Sequence, residues 1–450
     1  MIDPTKPLWR RFLVFLLPLM LSNILQSLSG TINNIYIGQM IGVDALAAVS
    51  VFFPIMIFLI SFVIGLASGA SILIGQAWGA KNLQKIKQVT GTTLTVGFLM
   101  GLVVAVLGGI FARNLMELLG APADIVADAT AYGRIVLIGM PGFFIFLLVT
   151  SMLRGVGDTI TPLLTLFFSI GVGLVVTPAL IQGWFGLPQI GVLSAAVAFI
   201  AGFVVVLIFL YFYLNARKSP MAPDAELIRN LKVDVKLLGL ILKLGIPAGV
   251  AMVVSSISAI VIVGIINRFG SDATAAFGAV NQVLSYVQFP AMSIGIASAI
   301  FAAQAIGARR FDEVEHVTRT AAVINLVFTG ALVVLAYLFS EHIVRLFITE
   351  QQVVELTERL LHIVLWSCLF FGWGSIFSAV MRASGDVWIP MLLSLAAIIL
   401  VEVPAALILS QTMGLDGVWI AYCLSFTALL TFQATYYFGW WRKKEIKALV

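Results

Sequence analysis

The stretch SMLRGVGDTITPLL (residues 151–164) returns, lightly altered, as AVMRASGDVWIPML (residues 379–392). Arg154 and Arg382, Asp158 and Asp386, and Pro162 and Pro390 are each 228 positions apart. The same offset joins GVDALAA (42–48) to GSDATAA (270–276). It also joins Gln76, Gly79, Ala80 and Thr90 to Gln304, Gly307, Ala308 and Thr318. A single offset held this far along the chain marks a duplication. It divides the protein into residues 1–215 and 237–450, joined by the polar segment ARKSPMAPDAELIRNLKVDVK (216–236).

The chain has 450 residues, 61% of them hydrophobic and 10% charged, with a mean hydropathy of +1.09. Soluble domains hold roughly 45–50% apolar residues, so this is an integral membrane protein. Apolar stretches of about 20 residues, enough to cross roughly 30 Å of hydrocarbon as a helix, recur throughout. The predicted spans are 12–37, 47–75, 89–111, 129–152, 160–182, 191–214, 238–266, 276–303, 318–339, 355–381, 388–411 and 417–440. The first is too long for a signal peptide and has no small-residue cleavage site, so it is read as helix one. With six spans each, both halves enter from the same side. The expected fold is all-α, twelve transmembrane helices in two six-helix lobes related by a pseudo-two-fold along the membrane normal, with a binding site between them near the midplane.

Counting cations fixes the orientation. The N-terminus, the even-numbered turns, the central segment and the tail WRKKEIK hold 21 of the 26 Lys and Arg residues. The positive-inside rule therefore places both termini in the cytoplasm. The formal charge of +5 follows from this topology and from anionic lipid, so it is no argument for a nucleic-acid partner. Cys368 and Cys423 fall inside spans and are read as apolar packing, not a disulfide or metal site.

An ionisable group inside a bilayer is a functional candidate by default, because Asp, Lys or Arg at a helix centre costs roughly 2.5–3.5 kcal/mol on insertion scales. Of the 21 acids, only Glu402, in LVEVPAALIL (400–409), lies well inside a span. Ser394 and Ile398 precede it on its helical face, and Ala405, Ala406 and Leu409 follow it. Pro404 cannot donate to the carbonyl of Leu400 and is expected to kink the helix. Burial favours a neutral carboxylic acid, and a cation or water favours the charged form, so one carboxylate can exchange a proton for an organic cation. A structural glutamate and a sodium ligand are the other readings of the same residue.

Further polar groups mark faces that turn away from lipid. Ser22, Gln26, Ser29, Asn33 and Tyr36 form a stripe on the first span. Asn281, Ser285 and Gln288, with the neighbouring Gln282, do so on the eighth, and His362, Trp366 and Trp373 on the tenth. Amides and aromatic rings suit flat amphipathic cations; interhelical hydrogen bonds or an interfacial aromatic belt explain the same residues without a ligand. His362 is a proton shuttle to Glu402 on one reading and an interface histidine on the other. Arg154, Asp158, Arg382 and Asp386 are read as structural, each Arg pinning a turn through a carboxylate or carbonyl contact, with Pro162 and Pro390 in the first turn of the next helix.

The order and spacing of QAWGA (76–80), LRGVGDTITP (153–162), LGIPAG (244–249) and GLDGVWIA (414–421) resemble the multidrug and toxic compound extrusion (MATE) family over essentially the whole chain. The resemblance implies a multi-pass antiporter of the cell inner membrane that exports amphipathic, often cationic, organic compounds in exchange for protons or sodium ions. It also implies a coupling aspartate five positions before the glycine ending the first helix, where this chain has Asn33, before Gly38. It implies an Asn and an Asp before the proline of the fifth helix, where Gly173 and Thr177 precede Pro178. Asparagine orients ligands but exchanges no proton. Either coupling has moved to Glu402 in the C-terminal lobe, or the chain exports without the usual site.

The expected partners are small organic molecules and the lipid bilayer, with no cofactor beyond the coupling ion, no metal, and a working monomer. The main rival is a flippase for a lipid-linked or otherwise amphipathic lipid. That reading favours a cavity rich in Arg and Lys, and no basic residue is expected deep in a helix. A membrane enzyme needs clustered His, paired acids or a Ser/Lys pair at depth, and the sequence offers none of these.

Overall fold

The computed structural model describes residues 6–450, apart from the side chain of Val43; the first five residues of the N-terminal half lie outside the described residues. The first half contains α1 (Leu8–Met40), α2 (Val43–Gly79), α3 (Leu83–Leu118), α4 (Val126–Ile138), α5 (Met140–Gly155), α6 (Ile160–Gln182) and α7 (Leu193–Ala216). A short helix, α8 (Ala225–Arg229), occupies the central segment. Then follow α9 (Val235–Ile266), α10 (Ser271–Gly307), α11 (Asp312–Leu338), α12 (Ser340–Arg345), α13 (Gln351–Val364), α14 (Ser367–Ala383), α15 (Trp388–Ala396), α16 (Val403–Met413) and α17 (Leu415–Gly439). Among the described residues ten helical stretches are long and apolar enough to cross a bilayer alone, and two bent pairs supply two more spans.

Those pairs make the expected spans 129–152 and 355–381, each with a break inside it. α4 and α5 meet at 53°, and α13 and α14 at 42°. Pro141 explains the first bend: it sits at the start of α5, where its missing N–H costs nothing. The second bend falls at Leu365–Trp366 with no proline, so no sequence signal announced it.

The molecule forms two compact units. One holds residues 21–78 and 82–249, and the other, within the described residues, holds 6–20, 79–81 and 250–450. The unit edges thus depart from the duplication boundary, for packing reasons visible inside each unit. In the first, α2 and the opening of α9 cross through glycines. A Cβ on Gly245 would strike the carbonyl of Gly65, and one on Gly69 the carbonyl of Ile241. This is close backbone approach of the small-xxx-small kind. In the second, Phe12 and Phe15 from the start of α1 are fully buried and lie 4.6 and 5.5 Å, between ring centroids, from Phe301.

The central segment is docked inside the first unit. Asp224 caps α8 by accepting the Leu227 amide at 2.9 Å and takes the buried Lys87 ammonium of α3 at 2.6 Å. Lys87 also donates to the Ala222 carbonyl at 3.1 Å, and the Thr92 hydroxyl to that of Lys232 at 3.3 Å. In the second unit the C-terminal tail closes on the turn between α14 and α15. There Lys444 pairs with Asp386 at 2.8 Å and Trp441 donates to Ser384 at 3.2 Å.

Candidate functional site

Glu402 stands where the helix changes its winding. Between Ala397 and Glu402 the chain takes a π-helical turn, and the Val403 amide donates to the Ile398 carbonyl five residues back. Pro404 supplies the cause, since in an α-helix its ring would clash with the Leu400 carbonyl and it has no N–H to offer. The expected kink is therefore realised as a widened turn. The widening puts residues five apart on one face, and Ala397 joins Ser394, Ile398 and Glu402 in lining a cavity of about 360 Å³ within the second unit. Ala405 and Leu409, expected on that face, do not line it.

The carboxylate is 7% exposed. The Ser258 hydroxyl of α9 donates to Oε1 at 2.7 Å, and the Ser425 hydroxyl of α17 donates to Oε2 at 2.8 Å. Ser425 has a second acceptor within reach, the Ala397 carbonyl at 3.4 Å. Among the described residues Glu402 forms no ion pair. A hydroxyl either donates or accepts, so this pair of serines satisfies both the ionised and the protonated acid. The cavity wall is completed by Ser255 and Ala259 of α9, Phe371, Ser375, Ser378 and Arg382 of α14, and Tyr422, Phe426 and Leu429 of α17.

Arg382 thus joins the cavity wall from the last turn of α14, a helix end and not a helix interior. Of the expected Arg contacts to a carboxylate or carbonyl in the two turns, the carboxylate form is corrected. Asp158 accepts the backbone amide and hydroxyl of Thr161 at 3.0 and 2.5 Å, capping α6, and Asp386 takes Lys444 and the Tyr436 hydroxyl, each at 2.8 Å. Arg154 keeps its Nε buried without a hydrogen-bond partner among the described residues. Each aspartate had a nearer donor than the arginine one turn back.

A second cavity, of about 230 Å³, lies within the first unit, lined by Ser29, Asn33 and Tyr36 of α1, Tyr132 of α4, Ser169, Gly173 and Thr177 of α6, and Phe199 of α7, among others. The three positions singled out by the family resemblance, Asn33 of α1 and Gly173 and Thr177 of α6, therefore line the same cavity. Among the described residues no acid or base lines this cavity. Gln26, from the same stripe, is exposed and outside it.

The remaining candidates disperse. Asn281 and Gln282 are half-buried on α10, Ser285 bonds back to the Asn281 carbonyl at 2.9 Å, and Gln288 reaches the Cys368 thiol. None of the four lines the Glu402 cavity. The His362 ring lies 2.9 Å from the Ser340 hydroxyl and 3.8 Å from Glu358, in an open cleft with Glu355 and Arg359. Trp366 is 42% exposed at the bend before α14. Sequence reasoning missed Ser258, Ser425 and Arg382 as site residues. One signal was available: Ser375, Ser378 and Arg382 recur at steps of three and four, a polar stripe like that of the first span.

Twelve apolar spans in a duplicated chain, with a polar cavity inside each unit, define a polytopic membrane transporter. The MatE family profile matches residues 18–179 and again 247–408, and the chain belongs to the MATE family. It is 46% identical to the probable multidrug resistance protein YoeA of Bacillus subtilis, over 99% of this chain and 97% of that one. It is 25% identical to the probable multidrug resistance protein NorM of Thermotoga maritima, over 96% and 92%. A crystal structure of a mutant of the Vibrio cholerae MATE transporter VcmN superimposes with a TM-score of 0.89 at 19% identity, covering 97% of this chain and 98% of that one, a likeness of fold.

Proposed function

We propose that the chain is a secondary active exporter that moves amphipathic organic cations out of the cell in exchange for protons, with Glu402 as the exchanging carboxylate. It resides in the cell inner membrane with both termini cytoplasmic and works as a monomer. The observation that carries the reading is a carboxylate 7% exposed, held by two hydroxyls and by no cation among the described residues, on the wall of an open cavity. Relatives named as multidrug resistance proteins support the substrate class.

In the proposed cycle an outward-open protein takes a proton on Glu402, releases its cargo, reorients, gives up the proton and reloads. Ser425 adjusts to each state: it donates to the ionised acid, and it turns to the Ala397 carbonyl when the acid is protonated, accepting the acid's proton in its own lone pair. The cargo cation takes the place of the proton as the partner of the charge.

The test is efflux of a fluorescent organic cation from vesicles under an imposed proton or sodium gradient. Wild type responds to the proton gradient, and Glu402→Gln transports without responding to it or not at all. Full proton-coupled transport by the variant contradicts the assignment, and a response to sodium alone replaces the proton as the coupling ion.

A further inference from the structure

The cavity that holds Glu402 contains a second charge, with no ion-pair partner among the described residues. Arg382, in the last turn of α14, lines it, and Asp386, one turn on, is taken by Lys444 and Tyr436. Among the described residues Arg382 forms no ion pair. Ser375 and Ser378 share its face of α14, and Ser255 stands on the wall supplied by α9. Among the described residues none of these three hydroxyls is hydrogen-bonded within the protein. Phe371 and Phe426, with ring centroids 5.2 Å apart, give the same cavity an apolar side.

An organic cation in this space meets the guanidinium as well as the carboxylate. Like charge in a poorly hydrated site opposes binding, whereas an anionic oxygen on the ligand gives the guanidinium the planar acceptor it lacks. The volume of about 360 Å³ falls in the range of small-molecule sites. Among the described residues the other unit's cavity is lined by neutral polar and apolar side chains, so of these two cavities it is the one with Glu402 that combines opposite charges.

We propose that the cavity of the second unit is a bipolar site that selects a small amphoteric molecule. Arg382, helped by the free serine hydroxyls, receives an anionic oxygen group, Glu402 faces a cationic nitrogen, and the phenylalanines hold an apolar body. The inference deepens the exporter reading and rests on it for the role of Glu402, while Arg382 becomes a specificity-determining residue.

Equilibrium binding to the purified full-length protein tests it, using three probes with one aromatic body: phenethyltrimethylammonium, the trimethyl betaine of phenylalanine, and 3-phenylpropionate. Wild type is expected to bind the betaine about tenfold more tightly than the cation, the effect of one charge-assisted hydrogen bond. Arg382→Gln brings that ratio to about one while still binding the cation, and Ser378→Ala lowers it severalfold. Equal binding of betaine and cation by wild type, which needs no variant to fold, overturns the proposal, as does an unchanged ratio in Arg382→Gln. The binding ratio and proton-coupled efflux are separate measurements, so the two readings fail separately. Loss of the betaine preference with proton-coupled cation efflux intact defeats only the bipolar site. A betaine preference in a protein whose efflux ignores protons and Glu402 defeats only the exporter.

Discussion

At the scale of single residues the site is a carboxylate between two serines. Replacing Ser258 by Ala removes the donor to Oε1 in a site 7% exposed, which is expected to cost about 1–3 kcal/mol. A lower thermal midpoint of the purified protein reads that loss, and Ser258→Thr restores most of it; an unchanged midpoint in Ser258→Ala means that the hydroxyl does not hold the acid. Glu402 was legible in the sequence because an acid inside an apolar run stands out by its desolvation cost alone. Its partners were not. Serines are ordinary in membrane helices, and these two lie 144 and 23 positions away, a proximity that only helix packing creates. Arg382 was misread for a related reason: its repeat and the acid four residues on suggested a local pair, while the tail captured that acid.

At the scale of elements, the winding of the helix around Pro404 aims the acid. Pro404→Ala restores an amide that can donate to Leu400 and removes the ring clash, so the π turn is expected to relax to α-helix. One residue fewer per turn then swings Glu402 away from Ser258 and Ser425. The variant should insert and fold yet lose proton dependence of efflux; wild-type coupling in it shows that the widened turn is incidental. A proline was visible in the sequence, but whether it kinks or widens a helix depends on neighbours that satisfy the freed carbonyls. The α2–α9 crossing supplies a second test. Gly245→Leu drives a side chain into the Gly65 backbone, overpacking expected to cost about 1–3 kcal/mol and readable as a lowered midpoint. The central segment gives a pH-dependent one. Partial burial acts to raise the Asp224 carboxyl's pKa, but the Lys87 and Leu227 hydrogen bonds outweigh it and hold the group below its ordinary range. A carboxylate with a depressed folded value stabilises the docked segment above the unfolded value, about 4, and loses that contribution as pH falls through the folded value. Hydrogen exchange at 224–229 should therefore accelerate on acidification below pH about 4, and Asp224→Asn should show the faster exchange already at neutral pH.

At the scale of the whole molecule, the duplicated architecture was readable from one constant offset and from hydropathy, because both record the backbone plan. What the two halves do with that plan was less readable, since it depends on which side chains reach a cavity. Asn33, Gly173 and Thr177 give the first unit a neutral cavity, and Glu402 and Arg382 give the second a charged one. The account assigns ion exchange to the charged cavity, to a single carboxylate. Substrate-induced proton release tests that most directly: an organic cation is added to purified protein in weakly buffered detergent, and the pH change is followed beside the binding isotherm. Wild type is predicted to release roughly one proton for each cation bound, and Glu402→Gln none. Equal release from the variant, or binding by wild type with no release at all, contradicts the account.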